Sequence, residues 1–406
     1  MGRSMSVSLG WITGALEQLE QSHLRRLRRA VTSLPEGWCE ADGIRLRNFA
    51  GNDYLGLSQH PRLREAASRA MAESGFGAGA SPLVAGRSKW MVDLEETVAR
   101  FERAGAALVF PTGYAANMGV LPALVSPGVD DVIFCDRLNH ASLVDGCRLS
   151  GARFKVYRHT ELDRLEYNLR RQACARRRVI VTDAVFSMDG HLAPLPELVK
   201  LAQLTDSVLV VDDAHGTGVW GETGRGACEQ LGVEQDIPVR IGTLSKGVGA
   251  LGGFVTGDQS TIDWLWNQAR TQIYSTALPP PVCAAAAEGL RVIDDTPLLR
   301  RQLHDRCREF RQQLARWGFS TPPQSRGPIV PLILEHPDLA VQIGHRLAEF
   351  GYLVGTIRPP TVPRGTSRLR ITLSAVHDDE SLEGLARALD AVWPDASPRQ
   401  SSAGRD

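Results

Sequence analysis

The chain has 406 residues, of which 43% are hydrophobic and 23% charged, and its 46 basic residues balance 46 acidic ones. This composition excludes a disordered polymer, a collagen-like fibre and a disulfide-stapled miniprotein, and the lack of net charge argues against nucleic-acid binding. No apolar stretch reaches the roughly 18 residues that a membrane helix needs. The seven cysteines include no CxxC pair. We therefore expect a soluble, cytoplasmic protein with reduced thiols and more than one domain.

The N-terminal part is predicted to be a small helical segment that covers residues 1–50. Leucines recur at helical spacing and predict an amphipathic helix from residue 16 to residue 31. Basic residues cluster towards the end of this helix, and they are Arg25, Arg26, Arg28 and Arg29.

Residues 51–282 are predicted to form a large α/β domain, because short β-branched runs alternate there with helical patterns. The predicted strands are Ala107–Phe110, Asp131–Cys135, Phe154–Tyr157, Arg178–Val181, Val208–Val211, Val239–Thr243 and Gly253–Thr256. Such an alternation is typical of a mostly parallel sheet with helices on both faces. Ligands of these sheets bind at the carboxyl ends of the strands.

Residues 283–396 are predicted to form a C-terminal α+β domain. Its expected helices and strands are Ala284–Ile293, Leu298–Trp317, Ile329–Leu334, Leu353–Ile357, Arg368–Leu373 and Asp379–Val392. Residues 397–406 form a polar tail that we expect to be disordered.

Lys246 is the first candidate for chemistry. The chain has only four lysines, and this one lies in a glycine-rich turn between Gly242 and Gly253, directly after a predicted strand. A lysine can form an imine, whereas an arginine cannot. A surface lysine is the alternative, but the small residues and the hydroxyls of Thr243 and Ser245 favour an aldehyde cofactor with a phosphate nearby.

Asp212 and Asp213 form a carboxylate pair where the apolar strand 208–211 ends. A carboxylate at the end of a buried strand is costly unless it meets a cation. The protonated ring nitrogen of pyridoxal phosphate is such a cation. A metal is the alternative, but no further ligands follow at suitable spacing, so we expect none. One of the two carboxylates could instead cap the next turn.

Three further strand ends point to the same edge of the sheet. Gly113 and Tyr114 begin a helix after a strand, and the N–H groups of such a helix start form a phosphate site. His140 could stack on an aromatic cofactor, although a helix cap is its more common role. Ser187 follows a fourth strand and could reach the same crevice.

These motifs resemble the α-oxoamine synthases, a family of fold-type I pyridoxal phosphate enzymes. The resemblance extends from Asn52-Asp-Tyr-Leu-Gly-Leu57 through Asp212-Asp-Ala-His-Gly-Thr-Gly218 and Thr243-Leu-Ser-Lys246 to Arg368-Leu-Arg-Ile-Thr-Leu373. It implies an aspartate aminotransferase-like fold, with a seven-stranded, mostly parallel sheet in the large domain. It also implies an obligate homodimer whose active sites are shared between subunits.

The resemblance also implies roles for individual residues. Lys246 would bind the cofactor aldehyde covalently, Asp212 would pair with the ring nitrogen, His140 would stack on the ring, and His215 would bind its phenolic oxygen. The residues around the rest of the cofactor would be Gly113, Tyr114, Ser187 and Thr243, with Ser275 and Thr276 supplied by the neighbouring subunit. The residues that bind substrate would be Arg26, Asn52, His140, Thr361 and Arg370. The family's N-terminal substrate arginine aligns best with Arg26, and the adjacent Arg25 is the alternative.

Within this family, Asp212–Gly218 and Arg358-Pro-Pro-Thr-Val-Pro363 most resemble the members of the biotin pathway. Those enzymes join L-alanine to a pimeloyl thioester, carried by acyl carrier protein or coenzyme A, and release CO2. A related synthase with another amino acid or acyl donor, as in 2-amino-3-ketobutyrate, autoinducer or sphingoid-base chemistry, is the alternative. A non-catalytic binding protein is a weaker alternative, because the lysine, aspartate and histidine set is complete. The arginine cluster is either a solvated surface or a docking site for an acidic carrier protein or the donor's carboxylate.

Overall fold

The computed structural model describes residues 9–394. The predicted tail at 397–406 lies outside this range. The chain divides into two compact units: unit 1 consists of Met1–Gly51 with Asp305–Asp406, and unit 2 consists of Asn52–His304. Both units are mixtures of helices and strands.

Fourteen α-helices occur within the described residues. They are α1 (Trp11–Gln21), α2 (Pro61–Ser74), α3 (Lys89–Phe101), α4 (Gly113–Leu124), α5 (Ala141–Leu149), α6 (Leu162–Arg170), α7 (Leu195–Leu204), α8 (Ala227–Gln230), α9 (Gln259–Gln268), α10 (Arg270–Ile273), α11 (Pro280–Asp295), α12 (Pro297–Arg316), α13 (Pro337–Glu349) and α14 (Asp379–Val392).

The strands of the same part of the chain number thirteen. They are β1 (Val31–Ser33), β2 (Trp38–Ala41), β3 (Ile44–Phe49), β4 (Ala106–Phe110), β5 (Asp131–Asp136), β6 (Arg153–Tyr157), β7 (Arg177–Asp183), β8 (Val208–Asp212), β9 (Val239–Thr243), β10 (Gly253–Gly257), β11 (Ile329–Glu335), β12 (Tyr352–Ile357) and β13 (Ser367–Thr372).

Unit 2 contains a seven-stranded sheet in the order β4-β10-β9-β8-β7-β5-β6. Only β10 runs antiparallel to its neighbours, so the predicted mostly parallel sheet is confirmed. Almost every residue of the central strands β5, β8 and β9 is buried. This explains the apolar runs of β5 and β8, because helices cover both faces of such a sheet. The carboxyl ends of the parallel strands meet at one edge.

Close backbone packing near that edge requires glycine at position 253. A Cβ atom there would lie only 2.5 Å from the backbone nitrogen of Gly113 and would also strike the carbonyl of Thr112. Since both obstacles are backbone atoms, no side-chain movement would relieve the contact. The β10 backbone therefore lies directly against the start of α4.

Unit 1 contains a six-stranded sheet in the order β1-β2-β3-β12-β13-β11. Strand β12 pairs in parallel with β3, and the other pairs are antiparallel. The N-terminal segment thus contributes half of the strands of this sheet. The prediction of a separate helical segment at 1–50 is wrong, because Trp38–Ala41 and Ile44–Phe49 form paired strands, and Ile44–Phe49 also pairs with the C-terminal strand β12.

The predicted helix at 16–31 is displaced in the structure, where α1 ends at Gln21. His23 has a φ of 54°, and two hydrogen bonds close the helix around it: Leu24 N–H to the Leu19 carbonyl and His23 N–H to the Glu20 carbonyl. This is a Schellman motif, which usually places glycine at the left-handed position. A histidine there gives no stop signal in the sequence, so the prediction continued the helix too far. The four arginines therefore lie beyond the helix.

The division between the units differs from the predicted domain boundary at residue 282. Residues 283–304, which include all but the start of α11, cluster with unit 2, and the division falls within α12. Helix α11 packs on α2 and α3 of the same unit, and this packing explains the assignment. No helix among residues 9–394 has the length and apolar character needed to span a bilayer.

Candidate active site

The carboxyl edge of the unit 2 sheet brings acidic and basic side chains together. Asp183 ends β7 and Asp212 ends β8, and these two residues are directly paired across the two strands. Lys246 follows the neighbouring strand β9 after two residues. Residues paired on adjacent parallel strands present their side chains to the same face, so the two carboxyl groups are neighbours.

Asp212 is a buried carboxylate with defined partners. Only 5% of the residue is exposed. Its Oδ2 accepts a hydrogen bond from Asn117 Nδ2 at 2.6 Å, and its Oδ1 accepts one from the Ala214 N–H at 2.9 Å. A carboxylate has about four acceptor positions. Positions for an additional donor therefore remain.

Asp183 carries the other carboxyl group of this pair. Burial raises its pKa well above the usual value, and the negative charge of Asp212 raises it further. Its Oδ2 accepts a hydrogen bond from the backbone N–H of His140 at 2.6 Å. Because two neighbouring buried carboxyl groups cannot both ionise cheaply, these surroundings favour the protonated form of Asp183.

His140 caps helix α5 and keeps part of its ring accessible. Its Nδ1 lies 2.6 Å from Ser142 Oγ and accepts a weaker hydrogen bond from the Ser142 N–H. Packing around the ring lowers the pKa of His140; the Asp212 charge opposes this effect and the Lys246 charge adds to it. The imidazole is thus neutral at neutral pH.

Lys246 is half-buried in the turn after β9, and its charge acts on the same groups. It lowers the pKa of His140 and opposes the burial that raises the pKa of Asp183. Because electrostatic effects of this kind require proximity, Lys246 and Asp212 lie within one group of interacting charges. The structure therefore brings together the amine and the carboxylate that the sequence singled out.

Asp213 differs from Asp212 in its surroundings. Its Oδ2 accepts the backbone N–H of Cys228 at 3.1 Å, and its backbone carbonyl accepts the N–H groups of Gly216 and Thr217. Burial raises the pKa of Asp213 to about 6. This residue holds the turn together, which is the capping role considered for one member of the pair.

His215 forms a short hydrogen bond with a tyrosine of the same unit. Its Nδ1 lies 2.6 Å from the hydroxyl of Tyr54, which in turn lies 3.4 Å from Asn52 Oδ1. His215 is 8% exposed and Tyr54 is fully buried. The contact fixes the orientation of the imidazole and brings the predicted substrate residue Asn52 close to it.

The start of α4 supplies N–H groups for an anion. Thr112 caps this helix through its hydroxyl, which accepts the N–H of Ala115 at 3.0 Å. The N–H groups of Gly113 and Tyr114 precede the first helical hydrogen bonds and have no acceptor within the helix. A Cβ on Gly113 would lie 3.4 Å from Thr243 Oγ1, so the buried Thr243 hydroxyl is adjacent. This cradle suits a phosphate group.

The remaining predicted residues of unit 2 occupy loops. Ser187 lies half-buried in the turn that follows β7. Ser275 and Thr276 follow α10, next to Tyr274, which is 71% exposed and packs against the Arg270 guanidinium. Tyr114 donates a hydrogen bond to Asp145 at 2.6 Å and contacts His140 edge to face.

Unit 1 holds the other predicted substrate residues. Arg26 Nη2 donates hydrogen bonds to Thr361 Oγ1 at 3.4 Å and to the Pro359 carbonyl at 3.3 Å, whereas Arg25 pairs with Glu20. Arg370 is buried on β13, where its Nη1 donates to Thr372 Oγ1 at 2.8 Å. The contact with Thr361 thus favours Arg26 over Arg25 as the substrate arginine.

Four residues of this site were missed by the sequence reasoning. Asn117, Ser142, Tyr54 and Asp183 all bond to predicted site residues. The position of Asp183 at a strand end was a usable signal. Asn117 and Tyr54 lie 95 and 161 residues along the chain from Asp212 and His215, so nothing in their local sequence indicates those contacts. Ser142 lies only two residues from His140, at the start of α5.

These groups fit pyridoxal phosphate. The primary amine of Lys246 can bind an aldehyde, the buried carboxylate of Asp212 can accept from a protonated ring nitrogen, and the start of α4 can bind phosphate. The accessible ring of His140 lies among them. Each requirement of the cofactor is met by a residue of unit 2.

Comparison with known proteins agrees with this geometry. The profile of the aminotransferase class I and II family matches residues 45–389. The 8-amino-7-oxononanoate synthase of Methylococcus capsulatus is 48% identical over 94% of this chain and 98% of its own. Among solved structures, S. paucimobilis serine palmitoyltransferase with PLP and myriocin bound is 27% identical, with a TM-score of 0.89 over 96% of this chain and 98% of its own. The 8-amino-7-oxononanoate synthase of Francisella tularensis is 27% identical, with a TM-score of 0.73 over 86% and 96%.

The different environments of Asp212 and Asp213 predict different effects on stability. Because burial raises the pKa of Asp213 from 3.8 to about 6, the folded state binds this proton more tightly than the unfolded state. Its contribution to the free energy of unfolding is therefore largest below about pH 4 and falls as the pH rises to 6, by roughly 3 kcal/mol. We expect Asp213→Asn to remove this pH dependence, measured by urea unfolding of the cofactor-free protein from pH 4 to pH 7.

Asp258→Asn is the matched control. Hydrogen bonds from Thr261 lower the pKa of the exposed Asp258 carboxyl. Loss of this group should therefore leave the pH dependence between pH 4 and pH 7 nearly unchanged, since its stabilisation is already present above about pH 4 and is lost only at lower pH. Parallel curves for the wild type and Asp213→Asn would contradict the assignment of Asp213.

Proposed function

This chain belongs to the 8-amino-7-oxononanoate synthase family within the class I and II aminotransferases, and we propose that it condenses L-alanine with a pimeloyl thioester. The products are 8-amino-7-oxononanoate, CO2 and the free thiol. The protein is thus a pyridoxal phosphate-dependent, decarboxylating acyltransferase of biotin synthesis.

One observation carries this proposal. Asp212 ends β8, and Lys246 follows the neighbouring parallel strand β9 after two residues, so both lie at the carboxyl edge of one sheet; their charges also act on the pKa values of His140 and Asp183. A covalent amine and a carboxylate for the ring nitrogen are the two groups that this cofactor requires together. When bound, pyridoxal phosphate supplies an aldehyde that reacts with amines and a protonated ring that withdraws electrons from the α-carbon of the substrate.

Individual residues of the protein then have separate roles. Lys246 Nζ would hold the cofactor through its aldehyde, and the same nitrogen, when free, would be the base that removes the α-proton of alanine. Arg370 binds the substrate carboxylate through its guanidinium. His140, with its accessible ring, orients the cofactor by stacking, and His215 donates a hydrogen bond to its phenolic oxygen. Arg26, Asn52 and Thr361 bind the remaining parts of the substrates.

A synthase of the same family with other substrates is the second candidate. The specific observation in its favour is the high TM-score with serine palmitoyltransferase. The much higher sequence identity to 8-amino-7-oxononanoate synthase over nearly the whole chain outweighs it. The acyl carrier, the cytoplasmic location and the homodimer remain predictions from the sequence.

Product identification tests the reaction. Purified protein loaded with the cofactor should convert L-alanine and pimeloyl thioester to a product with the mass of 8-amino-7-oxononanoate. Glycine, serine or a long-chain thioester should give little product. Another product under these conditions would overturn the substrates but keep the reaction class.

Removal of the amine tests the covalent role directly. Lys246→Ala should lose the visible absorbance of the bound cofactor and at least about 10³-fold in kcat, because both the covalent bond and the base are removed. Lys200→Ala is the control, since this lysine lies in α7. Retention of a borohydride-sensitive absorbance in Lys246→Ala would refute the assignment.

Shared active sites predict complementation between two inactive variants. We propose that Ser275 and Thr276 contact the phosphate bound by the neighbouring subunit, which agrees with the exposure of the adjacent Tyr274. In a mixed dimer of Lys246→Ala with the double variant Ser275→Ala/Thr276→Ala, one site carries all changes and the other none. Random mixing should therefore restore about a quarter of the wild-type activity. Light scattering shows whether the mixed protein is a dimer. If confirmed mixed dimers recover no activity, shared active sites are excluded.

The arginine cluster predicts an effect on the acyl donor. Arg25 and Arg29 pair with Glu20 and Asp42, whereas Arg28 forms no ion pair with the described residues and lines a cavity of about 410 Å³ together with Arg358. An uncompensated cation of this kind attracts an anionic partner. Arg28→Glu should raise the KM for the donor severalfold at low salt with kcat unchanged.

Arg326→Glu, an exposed change in the same unit, is the control for Arg28→Glu. An increase only with the carrier-protein donor would indicate protein docking, and an increase with every pimeloyl donor would indicate binding of the free carboxylate. An unchanged KM for both would remove the docking hypothesis.

A further inference from the structure

Asn117 and Ser142 connect two predicted site residues through hydrogen bonds. Asn117 Nδ2 lies 2.6 Å from Asp212 Oδ2 and 2.8 Å from Ser142 Oγ. Ser142 Oγ lies 2.6 Å from His140 Nδ1. Asn117 and Ser142 are both at least 99% buried. The four side chains thus form one continuous chain in unit 2.

The direction of each hydrogen bond in this chain is determined by chemistry. An ionised carboxylate can only accept, so the amide group of Asn117 must present its NH2 to Asp212. The second hydrogen of that NH2 then points to Ser142 Oγ. Since this oxygen accepts from Asn117, its own hydrogen is free to be donated to His140 Nδ1.

This arrangement determines the tautomer of His140. Its Nδ1 accepts hydrogen bonds from both the hydroxyl and the backbone N–H of Ser142, so in the neutral ring the proton lies on Nε2. The amide orientation of Asn117 also leaves its Oδ1 without a partner among the described residues. An unsatisfied buried oxygen is costly, and the two strong donor bonds on the other side of the amide offset that cost.

We infer that Asn117 and Ser142 are positioning residues. Asn117 holds the carboxylate of Asp212 in the orientation that meets the cofactor ring. Ser142 donates its hydroxyl hydrogen to Nδ1 of His140 and so selects the tautomer with the proton on Nε2. The inference rests on the proposed function, because it assigns Asp212 to the ring nitrogen. It adds a hydrogen-bonded link between Asp212, which is proposed to lie at the edge of the cofactor ring, and His140, which is proposed to stack on its face.

Cofactor affinity as a function of pH tests the first half. Loss of one charge-assisted hydrogen bond should weaken pyridoxal phosphate binding about 10- to 100-fold in Asn117→Leu, a change that nearly preserves side-chain volume. Asn117→Asp replaces a donor by a carboxyl group. Near pH 8 it should bind the cofactor more weakly than Asn117→Leu.

Below about pH 6 the introduced carboxyl takes up a proton and can donate to Asp212. The affinity of Asn117→Asp relative to wild type should therefore recover as the pH falls, whereas that of Asn117→Leu should stay constant. Equilibrium titration followed by absorbance gives these ratios at each pH. A packing defect would not produce a pH-dependent ratio, so flat ratios for both variants, or affinities within threefold of wild type, would overturn the inference.

The tautomer of His140 tests the second half. In protein with ¹⁵N-labelled histidine, the ring nitrogens of His140 should show an unprotonated Nδ1 and a protonated Nε2, assigned by comparison with His140→Gln. Ser142→Ala should shift these resonances. Ser150→Ala is the matched control, because it removes a buried hydroxyl that bonds to the Cys147 carbonyl just beyond the other end of α5. A protonated Nδ1 in the wild type, or identical spectra for Ser142→Ala and Ser150→Ala, would contradict the inference.

Asp212→Ala separates this inference from the proposed function. If Asp212→Ala binds the cofactor as tightly as wild type, the proposed role of Asp212 fails. If it binds weakly while the Asn117 variants bind normally, the proposed function stands and the positioning role fails.

Discussion

A negative charge buried at the end of the central strand β8 is the constraint on which this site depends. Asp212 is surrounded by protein and faces a second carboxyl group, Asp183, on the neighbouring strand. Coulomb repulsion and desolvation make two ionised carboxylates at this distance unfavourable. The two side chains differ in their surroundings: burial and the Asp212 charge raise the pKa of Asp183 well above its usual value, whereas Asp212 receives hydrogen bonds from Asn117 and Ala214. Asp212 is therefore the carboxylate whose hydrogen bonds favour a negative charge, and it retains capacity for a cationic ligand.

The same charge acts on the protonation of its neighbours. At His140 the negative Asp212 and the positive Lys246 have opposite effects, and the packing of the ring is the largest effect of all. The ring is therefore neutral although an anion lies nearby. A neutral imidazole stacks on a cationic heterocycle without charge repulsion, whereas an imidazolium would oppose it. The packing around part of the His140 ring is thus as relevant to cofactor binding as its position.

Much of this organisation follows from local sequence, and the exceptions have physical reasons. The seven strands of unit 2 and the positions of Lys246 and Asp212 at strand ends were predicted, because apolar runs followed by glycine or charge are local patterns. The end of α1 was misplaced, because His23 adopts a conformation that usually signals itself by glycine. Asn117 escaped notice since its partner Asp212 lies 95 residues along the chain, and only the fold brings them together. Contacts of this kind depend on tertiary packing, which no local pattern records.

Asp213, the neighbour of Asp212 in the sequence, explains the glycines that follow it. A Cβ atom on Gly216 or on Gly226 would overlap the carboxylate of Asp213, and Gly226 also has a φ of 100°. Asp213 therefore draws two backbone segments so close that side chains are excluded, and its Oδ2 ties one of them through the Cys228 N–H. His215 lies between Asp213 and Gly216, so its ring can reach Tyr54 only while this turn is intact. The two adjacent aspartates thus serve the site differently: one presents a charge to the cofactor, and the other holds the turn that positions His215.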